Sequence, residues 1–388
     1  MPQKVAIVAT GQTKHTSKRR DVNIRELINE AVIRCLIDAD LRMDQVDAVL
    51  IGNMEPFEGF MFPELWSVEG WGGYLKPHVK INTGGTVGAA TMAAAYYYVA
   101  SGIYDTILAV GFEKQSDGHT TTAITSVGEP AWERTMMAGA VGNFALMAST
   151  YISESGVTME QAAKVAVKAR HNGARNQYAH LQLPDLTVDD VMKSELLAWP
   201  VRKLDMCPQS DGAAAVLLCG ESLAKRRAPR PAWFRAVATA HEQQFMGDSP
   251  MRLAVMRAQI AASRRVYQMA GIREPLKDLD VAEIYEPASW AEMAMYENLG
   301  FCERGQGGKL IDAGVTMMDG ELPVNASGGV LCTNPIGATA MIRVAEAALQ
   351  VMGKAGSHQV PKKVRTALAT SYGGNAWCDA FILSDSPK

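Results

Sequence analysis

Paired cysteines, long apolar runs and a dominant charge are all missing from this chain. Its six cysteines stand far apart, at positions 35, 207, 219, 302, 332 and 378, and no two form a C-x-x-C. Neither a zinc ribbon nor a disulfide framework is therefore expected, no metal site is assigned, and a reducing cytoplasm fits best. No uninterrupted apolar stretch approaches the ~18 residues of a membrane span, and the opening MPQKVAIVATGQT is a short apolar run cut by glycine rather than a secretory leader. The formal net charge is −3, with 38 basic and 41 acidic residues mixed along the chain. That leaves no phosphate-tracking surface and argues against nucleic acid as the main partner. Clusters such as Lys225-Arg226-Arg227 read as solvated surface. The glycine-rich stretch INTGGTVGAA, residues 81–90, also lacks two signatures. Gly84, Gly85 and Gly88 do not make G-x-G-x-x-G, and no Lys-Ser/Thr follows as in a phosphate loop.

What is present is enough apolar residue, 48% of 388, and enough glycine, 34 residues, for two cores in two similar halves. The periodicity predicts a buried strand over Lys4 to Ala9, a helix from Ile24 to Ala39 and a strand from Ala48 to Ile51. A helix from Gly88 to Ser101 and a strand from Thr106 to Gly111 follow. Residues 116–205 are rich in Thr, Gly and Met and weak in strand signal, as an inserted loop lobe would be. Strands are expected again over Asp211 to Leu218 and Trp233 to Ala240. The order then repeats: a helix from Met251 to Ala270, a strand from Val281 to Tyr285, a helix from Ser289 to Leu299 and a helix from Ala338 to Met352. Two final strands, Val364 to Ser371 and Ala376 to Ser384, close the pattern. This alternation predicts a layered α/β fold. Residues 1–115 and 206–245 would form the N-terminal half around the lobe, and 246–388 the C-terminal half.

Six phrases fall in one order: VASGIYDTILAVGFEK (99–114), MCPQSDGAAAVLL (206–218), AEIYEPAS (282–289), ENLGFCERGQGG (297–308), VNASGGVLCTNPIGATA (324–340) and TSYGGNA (370–376). Together they resemble the thiolase superfamily, specifically its sterol-carrier-protein-type and archaeal branch. The resemblance runs nearly end to end. It implies a thiolase fold of two stacked βαβαβαββ halves in αβαβα layers, a loop lobe over the active site, and a homodimer.

Against that pattern the chain departs at each catalytic position. The nucleophilic cysteine falls at Gly85, the H-D-A-F phrase reads Tyr285-Glu286-Pro287-Ala288, and the G-H-P phrase reads Thr333-Asn334-Pro335. The C-terminal cysteine of the biosynthetic enzymes falls near Ser371. No covalent relay can run through a residue without a side chain. The oxyanion donors are a separate matter. The resemblance implies a backbone pair from Gly85 and Gly373, and side-chain donors at Tyr285 and Asn334. Glu286 would be a general base if burial raises its pKa, or else a structural carboxylate. Cys332 would carry a proton or activate a thiol, or else be a small buried hydrophobe. Coenzyme A phosphates would meet scattered basic residues of the lobe such as Lys168, Arg170 or Arg175.

The expected activity is carbon–carbon cleavage of a bulky 3-oxoacyl-CoA by coenzyme A itself, without an acyl-cysteine. In this the chain resembles the benzoylsuccinyl-CoA thiolases of anaerobic toluene degradation, which form benzoyl-CoA and succinyl-CoA. The alternative is retro-aldol cleavage of a steroid-type 3-hydroxyacyl-CoA, as in thiolase-like aldolases that rely on two tyrosines. One of these matches Tyr285; the other falls near Asn334. Both groups work with a small zinc-ribbon/OB-fold subunit, the expected partner, so zinc would reside only there. Cys207 and Cys219, flanking a strand, read as core, and Cys378 as part of the last strand. His119, His171 and His180 read as polar contacts of the lobe. The apolar phrases FEGFMFPELWSVEGW and TMMAGAVGNFALM suit either a subunit interface or an apolar acyl pocket.

Overall fold

The computed structural model describes residues 3–59, 61–135, 139–242, 254–374 and 376–387. Eleven strands occur among them: β1 Val5–Gln12, β2 Ala48–Gly52, β3 His78–Ile81, β4 Thr106–Lys114, β5 Leu196–Ala198, β6 Val201–Arg202, β7 Asp211–Gly220, β8 Ala232–His241, β9 Val281–Glu283, β10 Thr366–Thr370 and β11 Trp377–Ser384. All but β5 and β6, which pair as a ribbon, join one sheet in the order β3-β2-β4-β7-β1-β8-β11-β10-β9.

That order contains a repeat. In the first half β2 is parallel to both β3 and β4, β4 is antiparallel to β7, and β7 to β1. In the second half β9 is parallel to β10, β10 is antiparallel to β11, and β11 to β8, so by pairing β8 falls with the second half and not with the first, where the 206–245 boundary places it. The missing counterpart of β3 survives as a single parallel bridge between Ala282 and Val324. The halves meet where β1 pairs with β8 at Ala6↔Trp233 and Ile7↔Ala232.

Helix Ile24–Ala39 packs on β1 and β7 of the first half, and helix Arg257–Ala270 on β8 and β11 of the second. Between them, helices Val87–Ala100 and Ile336–Met352 lie against each other, and the latter touches strands of both halves. Side chains would keep these two helices apart. A Cβ on Gly88 would lie 2.6 Å from the Met341 nitrogen and 3.1 Å from the Gly337 oxygen, so the crossing needs glycine. Cover on both faces explains why β4 and β7 are buried at every position, with apolar centres and polar residues only toward their ends.

Local chemistry agrees at the helix ends. Asn23 and Glu26 form a reciprocal capping box at the start of helix Ile24–Ala39, which has the expected bounds. The helix expected from Met251 begins at Arg257; Met251 to Leu253 lie outside the described residues. The segment between β4 and β7 is weak in strand, as expected. It is mostly helical rather than loop: Thr120–Ser126, Gly139–Ser155, Met159–Arg175 and Val188–Lys193. No helix among the described residues is long and apolar enough to cross a membrane.

Candidate active site

A cavity of about 360 Å³ opens where the two central helices begin. Gly85 precedes helix Val87–Ala100, Asn334 precedes helix Ile336–Met352, Tyr285 follows β9, and Tyr372 and Gly374 stand in the β10–β11 turn. The lobe supplies the facing wall, with Ile124, Val127 and Phe144. The lining is mainly apolar, which suits an acyl group.

Its polar edge is a short chain of contacts. The Tyr285 hydroxyl stands 3.5 Å from Asn334 Oδ1, and the Thr339 hydroxyl donates to the same oxygen at 2.9 Å. That orients the Asn334 amide so that Nδ2 donates to Cys207 Sγ at 3.2 Å. The Asn334 backbone is held at both ends: its N–H donates to Ser210 Oγ at 3.1 Å, and its carbonyl accepts from Gln115 Nε2. Burial pushes the Tyr285 phenol above its ordinary value, and pushes the Cys207 thiol up to about 12. Both groups are therefore neutral donors near pH 7. Three rings form a wall, with Phe144 and Tyr285 each 6.1 Å from Tyr372, centroid to centroid.

At Gly85 the departure from a covalent enzyme is also steric. A Cβ there would lie 2.6 Å from the Tyr372 carbonyl oxygen, a backbone atom that cannot rotate aside.

Tyr285, Asn334 and Gly85 thus come together as the sequence implied. The other named residues do not. Gly373 donates its N–H to the Trp377 carbonyl at 2.9 Å in the hairpin, so that donor is engaged. Cys332 is fully buried, its thiol donating to the Ala169 carbonyl at 3.1 Å. Glu286 points behind the strand end, where Oε1 accepts from the Leu331 N–H at 3.2 Å. Burial, reinforced by the Glu292 carboxylate, lifts it to about 8, but it does not line the cavity.

The basic residues expected at the coenzyme A phosphates are placed elsewhere. Lys168 is buried in an ion pair with Glu292, and also donates to the Val324 carbonyl at 3.1 Å. Arg170 is buried against the carbonyls of Leu204 and Met206, at 3.4 and 3.2 Å. Neither can reach a solvated phosphate. Arg175 is exposed but lines a different cavity, with Arg34 and His358. Among the described residues that line the cavity beside Tyr285, the basic one is Lys203.

Cys207, Tyr372, Gln115 and Lys203 are among the cavity residues that sequence reading did not place there. Cys207 and Tyr372 lie inside phrases that carried the resemblance, and adjacency to Pro208 and Gly373 was the available signal. His119 caps helix Thr120–Ser126, His171 meets the Leu186 carbonyl at 3.0 Å, and His180 meets Ser210 Oγ at 3.0 Å, all polar contacts. Of the two apolar phrases, Phe57 and Phe144 line the cavity while Phe62 and Leu65 are exposed; Met136 and Met137 lie outside the described residues. Among the described residues, no group of three or more His, Cys, Asp or Glu could hold a metal ion.

The thiolase N-terminal domain matches residues 5–222, and the thiolase C-terminal domain-like family residues 238–384. The chain belongs to the thiolase family, as an acyltransferase-type enzyme. It is 32% identical to acetyl-CoA acetyltransferase of Methanothermobacter thermautotrophicus, over 92% of this chain and 93% of that one. It is 25% identical to benzoylsuccinyl-CoA thiolase subunit BbsB of Thauera aromatica, over 96% of each chain. Among solved structures, the Ltp2-ChsH2(DUF35) aldolase superposes with a TM-score of 0.85 at 24% identity, over 100% of this chain and 99% of that one.

Proposed function

We propose that the chain cleaves a bulky 3-oxoacyl-CoA by direct thiolysis, with the thiol of coenzyme A attacking the 3-oxo carbonyl and no acyl-cysteine forming. The observation that carries this reading is Gly85. It faces the cavity at the nucleophile position without a side chain, and the Tyr372 carbonyl excludes one.

Thiol addition puts negative charge on the 3-oxo oxygen, and bond cleavage moves it to the thioester oxygen of the departing enolate. Preorganised donors facing those oxygens supply the catalysis. The Tyr285 hydroxyl, whose contact to Asn334 Oδ1 is long at 3.5 Å and exchangeable for a substrate oxygen, and the Asn334 N–H not used on Cys207 are such donors, and both groups are neutral. The start of helix Val87–Ala100, beside Gly85, adds the positive end of a helix dipole. The wall of Phe144, Tyr372 and Tyr285 suits an aryl acyl group. With the likeness to BbsB, this supports 2-benzoylsuccinyl-CoA as substrate, giving benzoyl-CoA and succinyl-CoA as in anaerobic toluene degradation. The assembly proposed is a homodimer core with a small zinc-ribbon/OB-fold subunit, in the cytoplasm.

A second reading, retro-aldol cleavage of a 3-hydroxyacyl-CoA, draws on one observation. Tyr372 places a second tyrosine in the cavity beside Tyr285, where the sequence offered Asn334.

Initial-velocity patterns test the first reading. Intersecting lines for coenzyme A and 3-oxoacyl-CoA, with no acyl-enzyme mass on quenching, are expected. Parallel lines with a trapped acyl-enzyme refute it.

A further inference from the structure

The geometry points to Cys207 as the proton carrier of this site, the thiol that protonates the carbon released when the carbon–carbon bond breaks. This rests on the thiolytic reading above. Cys207 lies in the segment between the turn Lys203–Asp205 and β7, and its N–H donates to the Pro287 carbonyl at 3.0 Å. That contact ties it to the segment carrying Tyr285. Cys207 lines the cavity together with Gly85, Tyr285 and Asn334.

Two further features mark this corner as a place for a reacting group. The Asn334 amide donates to Cys207 Sγ and is held in that orientation by Thr339, so a thiolate formed there would find a donor already in place. Gln115 lines the same cavity, is 2% exposed, and its Oε1 has no hydrogen-bond partner among the described residues. A buried acceptor left open in this way marks where a ligand's donor can sit.

The positions that the sequence pointed to for proton transfer are otherwise placed. Ser371, at the family's C-terminal cysteine position, donates to Asp379 Oδ2 at 3.0 Å and accepts from the Asp379 N–H at 2.7 Å. Cys332 and Glu286 do not line the cavity. Burial keeps the Cys207 thiol protonated near neutral pH, the state in which it can donate.

The step balances as follows. The thiolate of coenzyme A bonds to the 3-oxo carbon. The bond between C2 and C3 breaks, and its electron pair remains on C2 as the enolate of the departing acyl-CoA. The S–H bond of Cys207 breaks as a C–H bond forms at C2. The resulting Cys207 thiolate then takes the proton from the thiol of the next coenzyme A, which becomes the next nucleophile. Over one cycle a coenzyme A proton ends on C2, and nothing is oxidised or reduced.

The test is deuterium uptake from D2O at C2 of succinyl-CoA, a half-reaction that needs neither coenzyme A nor cleavage. It is run on the full chain with any small subunit that co-purifies, comparing wild type, Cys207→Ser and Cys332→Ser. Serine keeps the size and a hydrogen-bonding atom but not the acidity. Cys207→Ser should lose roughly 10²–10⁴-fold in exchange rate, the range for a general acid, with succinyl-CoA affinity and Tm unchanged. Cys332→Ser should exchange at the wild-type rate. Wild-type exchange in Cys207→Ser, or loss confined to Cys332→Ser, overturns the assignment. The thiolytic reading fails by a different result: cleavage by the wild type without coenzyme A, which leaves the exchange comparison to decide the carrier.

Discussion

Putting a side chain back at position 85 tests whether the absent nucleophile is incidental or built into the fold. A Cβ there meets the Tyr372 carbonyl oxygen at 2.6 Å and the Gly373 Cα at 3.7 Å, so the hairpin or the helix start must move. Overpacking of this kind costs about 1–3 kcal/mol. In a chain of 388 residues that lowers Tm by about 1–4 °C. Gly85→Ala and Gly85→Cys should lose similar stability, because the clash begins at Cβ. The added thiol should form no acyl-enzyme, since the cavity offers Asn334 and Tyr285 rather than a histidine to activate it. Differential scanning calorimetry reads the first effect, and mass spectrometry after mixing with 3-oxoacyl-CoA reads the second. A Gly85→Cys protein with the wild-type Tm that accumulates an acyl-enzyme would refute the argument.

Tyr285→Phe and Asn334→Ala should each lower kcat roughly 10²–10³-fold with little change in KM, as loss of one oxyanion donor does; steady-state kinetics checks this. Lys168→Ala leaves the Glu292 charge buried without its partner and should cost about 3–5 kcal/mol of stability, with KM for coenzyme A unchanged. A raised KM at full stability would instead make Lys168 a phosphate contact. Glu286 has its native pKa raised to about 8 from an ordinary value near 4.5, so the native state holds a proton that the unfolded chain releases. Its contribution therefore lowers stability progressively as pH rises from ~4.5 to ~8. Glu286→Gln should flatten that part of the curve in urea unfolding; parallel curves for the two proteins would contradict the assignment.

How much of this was legible in the sequence varied with the range of the interactions. Helix Ile24–Ala39 and strand Ala48–Gly52 show local periodicity and capping, and both emerged within a residue of expectation. The repeat of the two halves was readable as an order of elements, although the counterpart of β3 shrank to one bridge at Val324. Lys168 and Arg170 look like solvent-facing residues of a basic amphipathic helix. Their partners lie far along the chain, Glu292 for one and the 204–206 carbonyls for the other, and other elements cover that helix. Gly373 carried the resemblance, but the hairpin register that engages its N–H depends on Trp377. Cys207 reads as core because a buried strand begins four residues later. Only the fold brings it to the cavity wall, beside Asn334, which lies 127 positions away.

The most direct test of thiolysis without an enzyme nucleophile is a product assay on the chain with any small subunit that co-purifies, given 2-benzoylsuccinyl-CoA with and without free coenzyme A. Benzoyl-CoA and succinyl-CoA should form together, in equal amounts, and only when coenzyme A is present. Cleavage that proceeds without coenzyme A, or an acyl group found bound to the protein, would contradict the account.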